Sequence, residues 1–372
     1  MKFVCPVYFL VGILLCCKPC IAQRNESTNK VIAIADVQYA QHGSLYKIIL
    51  GKNYRAVWNK PVLVDKFYFK TTTQNFTPIK VGGGLQTVSL LITDQNNNEW
   101  SLRSVQKNPS KWLPVFWRKT FVNKIVQDQI SASFPYGALI VPEMAAALNI
   151  GHATPKLVVI NDDSAALGKL RDVFANRFVF LEERNPQGKS ISTEKLLRLK
   201  DSLPGIIIDS MGFLKCRLLD IVIGDWDRHP DQFRWYLDNN NGIKMYKPIP
   251  NDRDQALFKS TGIISSVLLN LGFMRYLEGF DYNVRNIKGF MQRGTKLDKK
   301  ILGRVKWEEI EVVTKEVMNK LSDPVLEHTL TNLPVEIQYN QFDILNKLIS
   351  RRNSLPLLLK KYYKKVLRKA NA

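Results

Sequence analysis

Two short pieces decide the reading: Gly224-Asp225-Trp226-Asp227-Arg228-His229-Pro230-Asp231-Gln232, and Pro250-Asn251-Asp252-Arg253-Asp254-Gln255. Together they hold five carboxylates, three amide side chains and a histidine, in a chain with 33 acids against 54 bases. Carboxylates grouped this way repel one another unless positive charge sits among them. A hard cation such as Mg²⁺, held by carboxylate oxygens and phosphates, suits that need. Between the two pieces, residues 233–237 and 243–247 flank Asp238-Asn239-Asn240-Asn241-Gly242, the signature of a β-hairpin. Upstream, the apolar run 211–223 reads as a helix leading straight into the first piece.

Working outward, residues 61–69, 88–93, 99–105, 156–160 and 177–181 read as strands, and 31–35 as a short one. Lys80-Val81-Gly82-Gly83-Gly84-Leu85-Gln86-Thr87 precedes the strand 88–93. On the strand 99–105, Trp100, Leu102 and Ser104 face one side, and Ser101, Arg103 and Val105 the other. Residues 119–132 and 142–148 read as helices. From about Thr193 the chain is mostly helical, with further helices expected near 262, 307, 323, 340 and 354. The expected fold is α+β and two-lobed. Residues 45–182 form a β-rich N-lobe and 183–372 a helical C-lobe, and the lobes meet near residues 181–186.

The 372 residues carry a formal charge of +21, which suggests an anionic partner such as a nucleotide, an acidic glycan or lipid headgroups. No motif for nucleic acid is present, so none is expected as a partner. Residues 1–22 read as an export signal. Lys2 precedes an apolar run from 4 to 17, and Cys20-Ile21-Ala22 offers small residues before Gln23. Lipidation at Cys16, Cys17 or Cys20 is the alternative for that segment. Residues 23–44 read as a leader. Four of the five cysteines lie in the signal, leaving Cys216, expected in the core, and no internal disulfide. The basic end, 360–369, reads as a solvated helix face or a contact with an anionic membrane surface.

A glycine turn, a strand with a cation, a helix with acids, a strand near Leu181, then Asp227 with an amide five residues on, a hairpin and another Asp: this is the order of parts in protein-kinase-like phosphotransferases. Asp227-Arg228-His229 with Gln232, followed by the hairpin and Asp252-Arg253-Asp254, resembles the catalytic loops of HipA-like, CotH-like, secretory-pathway and phosphatidylinositol kinases. Residues 45–365 also resemble a module of exported bacterial proteins. In those relatives it often follows a calcineurin-like metallophosphoesterase domain and precedes an outer-membrane β-barrel. The phrases that carry this are Tyr54-Arg55-x-x-Trp58, Gly82-Gly83-Gly84-x-Gln86-Thr87, Leu102-Arg103-Ser104, Gln127-Asp128-Gln129, Leu181-Glu182-Glu183-Arg184, Gly224-Asp225-Trp226-Asp227-Arg228-His229 and Asp252-Arg253-Asp254-Gln255.

The resemblance implies an assignment for each part. Asp227, with Arg228 and His229 around it, is the catalytic group, His229 supporting the loop rather than acting as a base. Gln232 and one of Asp252 and Asp254 hold Mg²⁺ or Mn²⁺. Gly82, Gly83, Gly84, Gln86, Arg103 or Lys107, and Glu182 at the lobe junction bind a nucleotide such as ATP. Glu143 or Asp128 pairs with Arg103. Two departures stand out: arginine where kinases use lysine, and glutamine where they use asparagine. The implied activity is Mg²⁺-dependent phosphotransfer to a hydroxyl of a protein, glycan or lipid, in the periplasm or cell envelope. The alternatives are an inactive kinase-like binding module and a phosphoesterase-associated domain. For the last, Ala35-Asp36-Val37-Gln38 echoes a phosphoesterase metal strand without the histidines to complete it.

Overall fold

The computed structural model describes residues 29–84, 86–239, 244–271 and 274–368; the proposed signal and its cysteines lie outside them. The N-terminal half is built on seven strands: β1 (Lys30–Ala33), β2 (Val62–Phe67), β3 (Thr77–Gly82), β4 (Ser89–Thr93), β5 (Glu99–Ser104), β6 (Lys156–Ile160) and β7 (Phe178–Glu183). Their order is β1-β2-β6-β7-β5-β4-β3. Only β2 and β6 pair in parallel. The alternation expected for β5 holds: Leu102 and Ser104 are buried, and Arg103 points the other way, toward the C-terminal half. On the Leu102 side, Phe67, Phe69, Phe76, Leu90, Ile92 and Ile160 form a separate core with Leu167 and Phe174 of two short helices. β1 falls within the stretch read as a leader, and it joins the same sheet as an edge strand.

The C-terminal half is helical around a four-stranded sheet of β8 (Ser190–Ser192), β9 (Ile207–Ile208), β10 (Phe233–Asp238) and β11 (Met245–Pro250), in the order β8-β10-β11-β9. The β10–β11 hairpin is as expected, although β11 starts two residues later than the sequence suggests; residues 240–243 of its turn lie outside the described residues. The helix Ser210–Ile223 is buried on nearly every face, which is why it reads as continuous hydrophobicity rather than a stripe. Cys216 lies in it at 0% exposure, and burial pushes its thiol up to about 12.

Two expectations change. The helices expected near 340 and 354 are a single one, Gln341–Tyr362, which runs through Pro356. Proline removes one helix hydrogen bond there. The turns on both sides bury Leu348, Leu355, Leu358 and Leu359, and that packing carries the helix across. The helix Thr295–Leu302 was not expected at all. The helix Val141–Ala147, placed in the N-lobe by sequence position, packs against the C-terminal helices Asp323–Thr329 and Ser210–Ile223. A second, larger core runs continuously from Val62 and Trp58 through Ile140 to Leu219 and Leu355.

Candidate active site

The helix Ser210–Ile223 stops on Gly224, which takes a left-handed conformation (φ +72°) and turns the chain into the acidic loop. A Cβ at Gly224 would come within 2.9 Å of the Phe280 ring, so glycine is required twice over. The β10–β11 hairpin then brings the second acidic piece back beside the first. Phe233 pairs with Pro250, and the Asn251 amide donates to the Gln232 carbonyl at 2.9 Å. Residues twenty apart in sequence thereby become neighbours: Gln232 Nε2 lies 3.5 Å from Asp252 Oδ2. Asp252 itself has φ +54°, a conformation that asparagine, aspartate and glycine tolerate best.

Behind the loop lies an ionic core of three arginines and three aspartates, each no more than 8% exposed. Arg217 holds Asp298 at 2.9 Å and Asp220 at 2.6 Å. Arg253 bonds Asp220 and lies 3.3 Å from Asp225. Arg228 lies 3.5 Å from both Asp220 and Asp225. Arg228 also donates to the carbonyls of Asn251 (2.7 Å) and Gln232 (2.9 Å), and its guanidinium lies over the Phe233 ring. Fully buried, it ties together the two ends of the loop and offers no atom to the cleft. Burial pushes Asp225 up to about 6, against the pull of Arg228 and Arg253.

Asp227 projects from the loop on the other side. Burial raises its carboxyl above the usual carboxylate range, although Arg293 pulls it down. Arg293 Nε lies 2.7 Å from Asp227 Oδ1 but outside hydrogen-bonding geometry, so this buried oxygen accepts no hydrogen bond. Arg293 also lies over the rings of Trp226 and Tyr276, 5.7 Å from each. Its turn comes close because residue 294 is glycine: a Cβ there would meet Arg217 Nη2 at 2.6 Å and the Arg228 carbonyl at 2.9 Å. Sequence reasoning missed Arg293, which lies 66 residues beyond Asp227 in a segment without a motif. His229 is partly exposed, with Nδ1 3.6 Å from Asp231.

The sheet supplies the opposing wall. Gly82 pairs with Ser89, and Ser89 with Arg103, so the glycine turn and Arg103 lie at one end of the sheet. Gly83 has φ +124°, and a Cβ on it would meet the Thr87 carbonyl at 2.2 Å; Gly82 and Gly84 are exposed beside it. The Gln86 carbonyl accepts from the Asn108 amide, next to Lys107. Arg103 donates to Asp252 Oδ1 at 2.5 Å and to Glu182 Oε2 at 2.9 Å. Lys107 Nζ lies 2.6 Å from Asp254 Oδ2. Burial would raise Asp252, but Arg103 and Lys107 outweigh it and hold its carboxyl below the usual range. Glu182 goes the other way: burial outweighs Arg103 and raises it. Beside these pairs lies a cavity of about 20 Å³, lined by Arg103, Lys107, Thr87, Phe180 and Asp254 among others.

In this structure Arg228, Arg253, Arg293, Arg103 and Lys107 sit among the clustered carboxylates. Two corrections follow. Neither Asp128 nor Glu143 pairs with Arg103. Asp128 makes a two-pronged buried pair with Arg55 (2.5 and 2.6 Å), and Glu143 bonds His328 and Asn332. Glu182 sits within β7 rather than just past it, and its side chain is spent on Arg103.

No group of three or more His, Cys, Asp or Glu side chains among the described residues is arranged to hold a metal. Mg²⁺ asks for less, since it commonly takes one or two carboxylates with substrate phosphates and water. Asp252 Oδ2 and the Asp254 carboxylate are hard oxygens of the kind it takes, while Gln232 turns its Nε2 toward Asp252 at 3.5 Å and would present its oxygen only with the amide rotated.

No family model and no curated protein matches the chain. The solved structures similar to it include two kinases. The Helicobacter pylori proinflammatory kinase CtkA is 11% identical, with a TM-score of 0.42, over 81% of this chain and 99% of that one. The Rio2 kinase of Chaetomium thermophilum, solved as an ADP/Mg²⁺-phosphoaspartate complex, is 10% identical, with a TM-score of 0.34, over 75% and 72%. Scores of this size assign nothing by themselves. The two-lobed, kinase-like α+β architecture is read from the chain's own order of parts: glycine turn, cationic strand, acidic loop, hairpin and second acidic pair.

Proposed function

We propose that this chain is an exported kinase-like phosphotransferase, moving a phosphoryl group from a nucleotide such as ATP to a hydroxyl of a protein, glycan or lipid in the periplasm or cell envelope. The supporting observation is the meeting of Asp227, Gln232, Asp252 and Asp254 at one end of a hairpin with Arg103 and Lys107 from the glycine-turn sheet. Mg²⁺ or Mn²⁺ bound at Gln232 and Asp252 or Asp254 would supply neutralisation of phosphate charge.

The chain's own residues account for the rest. Arg103 and Lys107 are held by carboxylates in the cleft, and incoming phosphate oxygens exchange for those carboxylates on the same cations. The pairs Arg103–Asp252 and Lys107–Asp254 part as the phosphates take their place. Asp227, whose buried Oδ1 lies 2.7 Å from Arg293 Nε without accepting a hydrogen bond, orients the attacking hydroxyl and accepts its proton. Gly83 and Gly84 let backbone amides approach phosphate. Arg228 holds the loop in place for this work. The test is incubation with Mg²⁺ and ATP labelled on its γ-phosphate. Label should appear on the protein or on added acceptors and disappear in Asp227→Asn, and its absence from every acceptor with the wild type would count against the proposal.

The second reading, a kinase-like envelope module without turnover, is favoured by the carboxylates that hold both Arg103 and Lys107 and by arginine in place of lysine at Arg103. It predicts no metal-dependent nucleotide binding. A phosphoesterase-type role finds little support at Asp36, which is spent on the Gln38 amide (2.9 Å) and Gln106 Nε2 (2.9 Å). The basic end 360–368 presents Lys360, Lys361, Lys364 and Lys365 to solvent while Tyr362, Val366 and Leu367 are in the core, so any membrane contact there is through charge alone.

A further inference from the structure

We propose that a cationic and apolar face, built from residues 44–52, 115–124 and 263–271, docks on an anionic lipid bilayer. The sequence marks it first. Residues 37–64, 100–127 and 255–277 contain no Asp or Glu; of their twelve Lys or Arg, Arg55, Arg103 and Lys107 are held in ion pairs elsewhere, and Lys47, Lys52, Arg118, Lys119 and Lys124 fall within the face. The fold then gathers these three distant stretches. The helix Ser44–Leu50 packs against both the helix Phe121–Gln129 and the helix Ile263–Asn270. Gly51 and Gly262 touch so closely that a Cβ on Gly262 would meet the Gly51 amide at 2.4 Å. Asn53 fastens the junction by accepting from the Thr261 amide at 2.9 Å.

Each element leaves apolar side chains outside. The helix Ser44–Leu50 exposes Leu45 (70%) and Ile48, and the turn Val115–Trp117 exposes Val115 (75%), Phe116 (69%) and Trp117. Phe121 is 69% exposed at the start of its helix, and Ile263, Val267 and Leu271 are exposed on the third element. Lys52, Arg118, Lys119 and Lys124 are exposed among them. Scattered single exposed apolar residues are ordinary, but a set drawn from three adjoining elements is not.

The charge selects the occupant. A face with bases and no acids repels a second copy of itself, which disfavours a homodimer through it. Aliphatic and aromatic side chains with lysine and arginine on two of the three elements match a bilayer, where the apolar groups enter the boundary region and the bases meet anionic headgroups. Aliphatic groups such as Leu45, Ile48, Val267 and Leu271 contribute little to nucleic acid, which is bound through bases, stacking rings and phosphate contacts. The inference does not depend on phosphotransfer. The docked face borders the cleft, because Gln127 of the helix Phe121–Gln129 donates to the Lys107 carbonyl at 2.9 Å.

The test is flotation of the full chain with phosphatidylcholine vesicles, with and without phosphatidylglycerol. The apolar N-terminal run would act on both vesicle types, so the readout is the increment that phosphatidylglycerol adds. Lys119→Glu with Lys124→Glu should lower that increment by roughly thirtyfold. Phe116→Ser with Phe121→Ser should lower binding by roughly a hundredfold. Leu357→Ser, which alters an exposed residue outside the face, should change nothing. All these positions are solvent-facing, so unchanged thermal midpoints are expected and would confirm that the variants fold. No increment with the wild type, or an increment that survives both double variants, overturns the proposal. Binding to a short single-stranded RNA but not to vesicles overturns it in favour of a nucleic-acid surface.

Discussion

The molecule solves one electrostatic problem twice, in two places, with different consequences. Behind the acidic loop, Arg217, Arg228 and Arg253 neutralise Asp220, Asp225 and Asp298 at exposures of 8% or less. In the cleft, Arg103 and Lys107 neutralise Glu182, Asp252 and Asp254 with carboxylates that are 23 to 34% exposed. The first set has no access to solvent and cannot trade partners, so its charge is frozen into structure. The second keeps its carboxylates partly open to solvent, although Lys107 is buried, so those carboxylates can be rehydrated or met by an outside ion. Motif residues therefore divide by burial: Arg228 and Asp225 are framework, whereas Asp227, Asp252 and Asp254 are available for chemistry.

The sharpest way to break that division is Asp220→Ala. It strands buried arginines without a counter-charge and should cost about 3–5 kcal/mol in a urea unfolding titration. A loss comparable to a surface change would mean the core is not the framework described. Gly294→Ala comes next. Its Cβ would press on Arg217 and the Arg228 carbonyl, and overpacking of this kind costs about 1–3 kcal/mol. In the cleft, Arg103→Met should cost less than Asp220→Ala, because its partners Glu182 and Asp252 keep 23 and 34% exposure and can be rehydrated. A larger loss there would erase the contrast between the two regions.

The smallest effect is one of pH. Arg103 and Lys107 hold the Asp252 carboxyl below its ordinary value, so the ionised form is favoured in the folded state. The stability this gives is present above the ordinary aspartate pKa, about 3.9, and is lost as pH falls below it. Acid unfolding followed by circular dichroism should therefore be less steep in that range for Asp252→Asn than for the wild type. Identical profiles would mean the pair is not held in solution.

The sequence makes the local pieces legible and leaves their partners hidden. β6 begins and ends where its apolar run does, and the helix Ser210–Ile223 and the turn at Gly224 follow from composition and one glycine. The convergence of Gln232 and Asp252 was also readable, because a hairpin with a strong turn signal returns the chain to its starting point. What pairs with what was not. Arg103 had several acids of suitable type to choose from, and only the tertiary arrangement sends Asp128 to Arg55, Glu143 to His328, and Glu182 and Asp252 to Arg103. Arg293 and Asp298 come from a part of the chain whose periodicity is broken by Gly289, Gly294 and Gly303, so neither its helix nor its role stood out. The exposed face of the further inference was readable in part, since a run without acids is visible in sequence, but its assembly from three stretches is not.

The central claim is that the cleft pairs are exchangeable for nucleotide phosphate and metal. Thermal unfolding of the chain with ATP, with Mg²⁺, and with both tests it directly, beside Asp252→Asn and Asp254→Asn. A ligand bound only by the folded state raises the midpoint by mass action. The account predicts a rise that needs nucleotide and metal together and is lost in at least one of the variants. An unchanged midpoint with ATP, GTP or AMP and either Mg²⁺ or Mn²⁺ would contradict it and leave the cleft as a closed ionic seam.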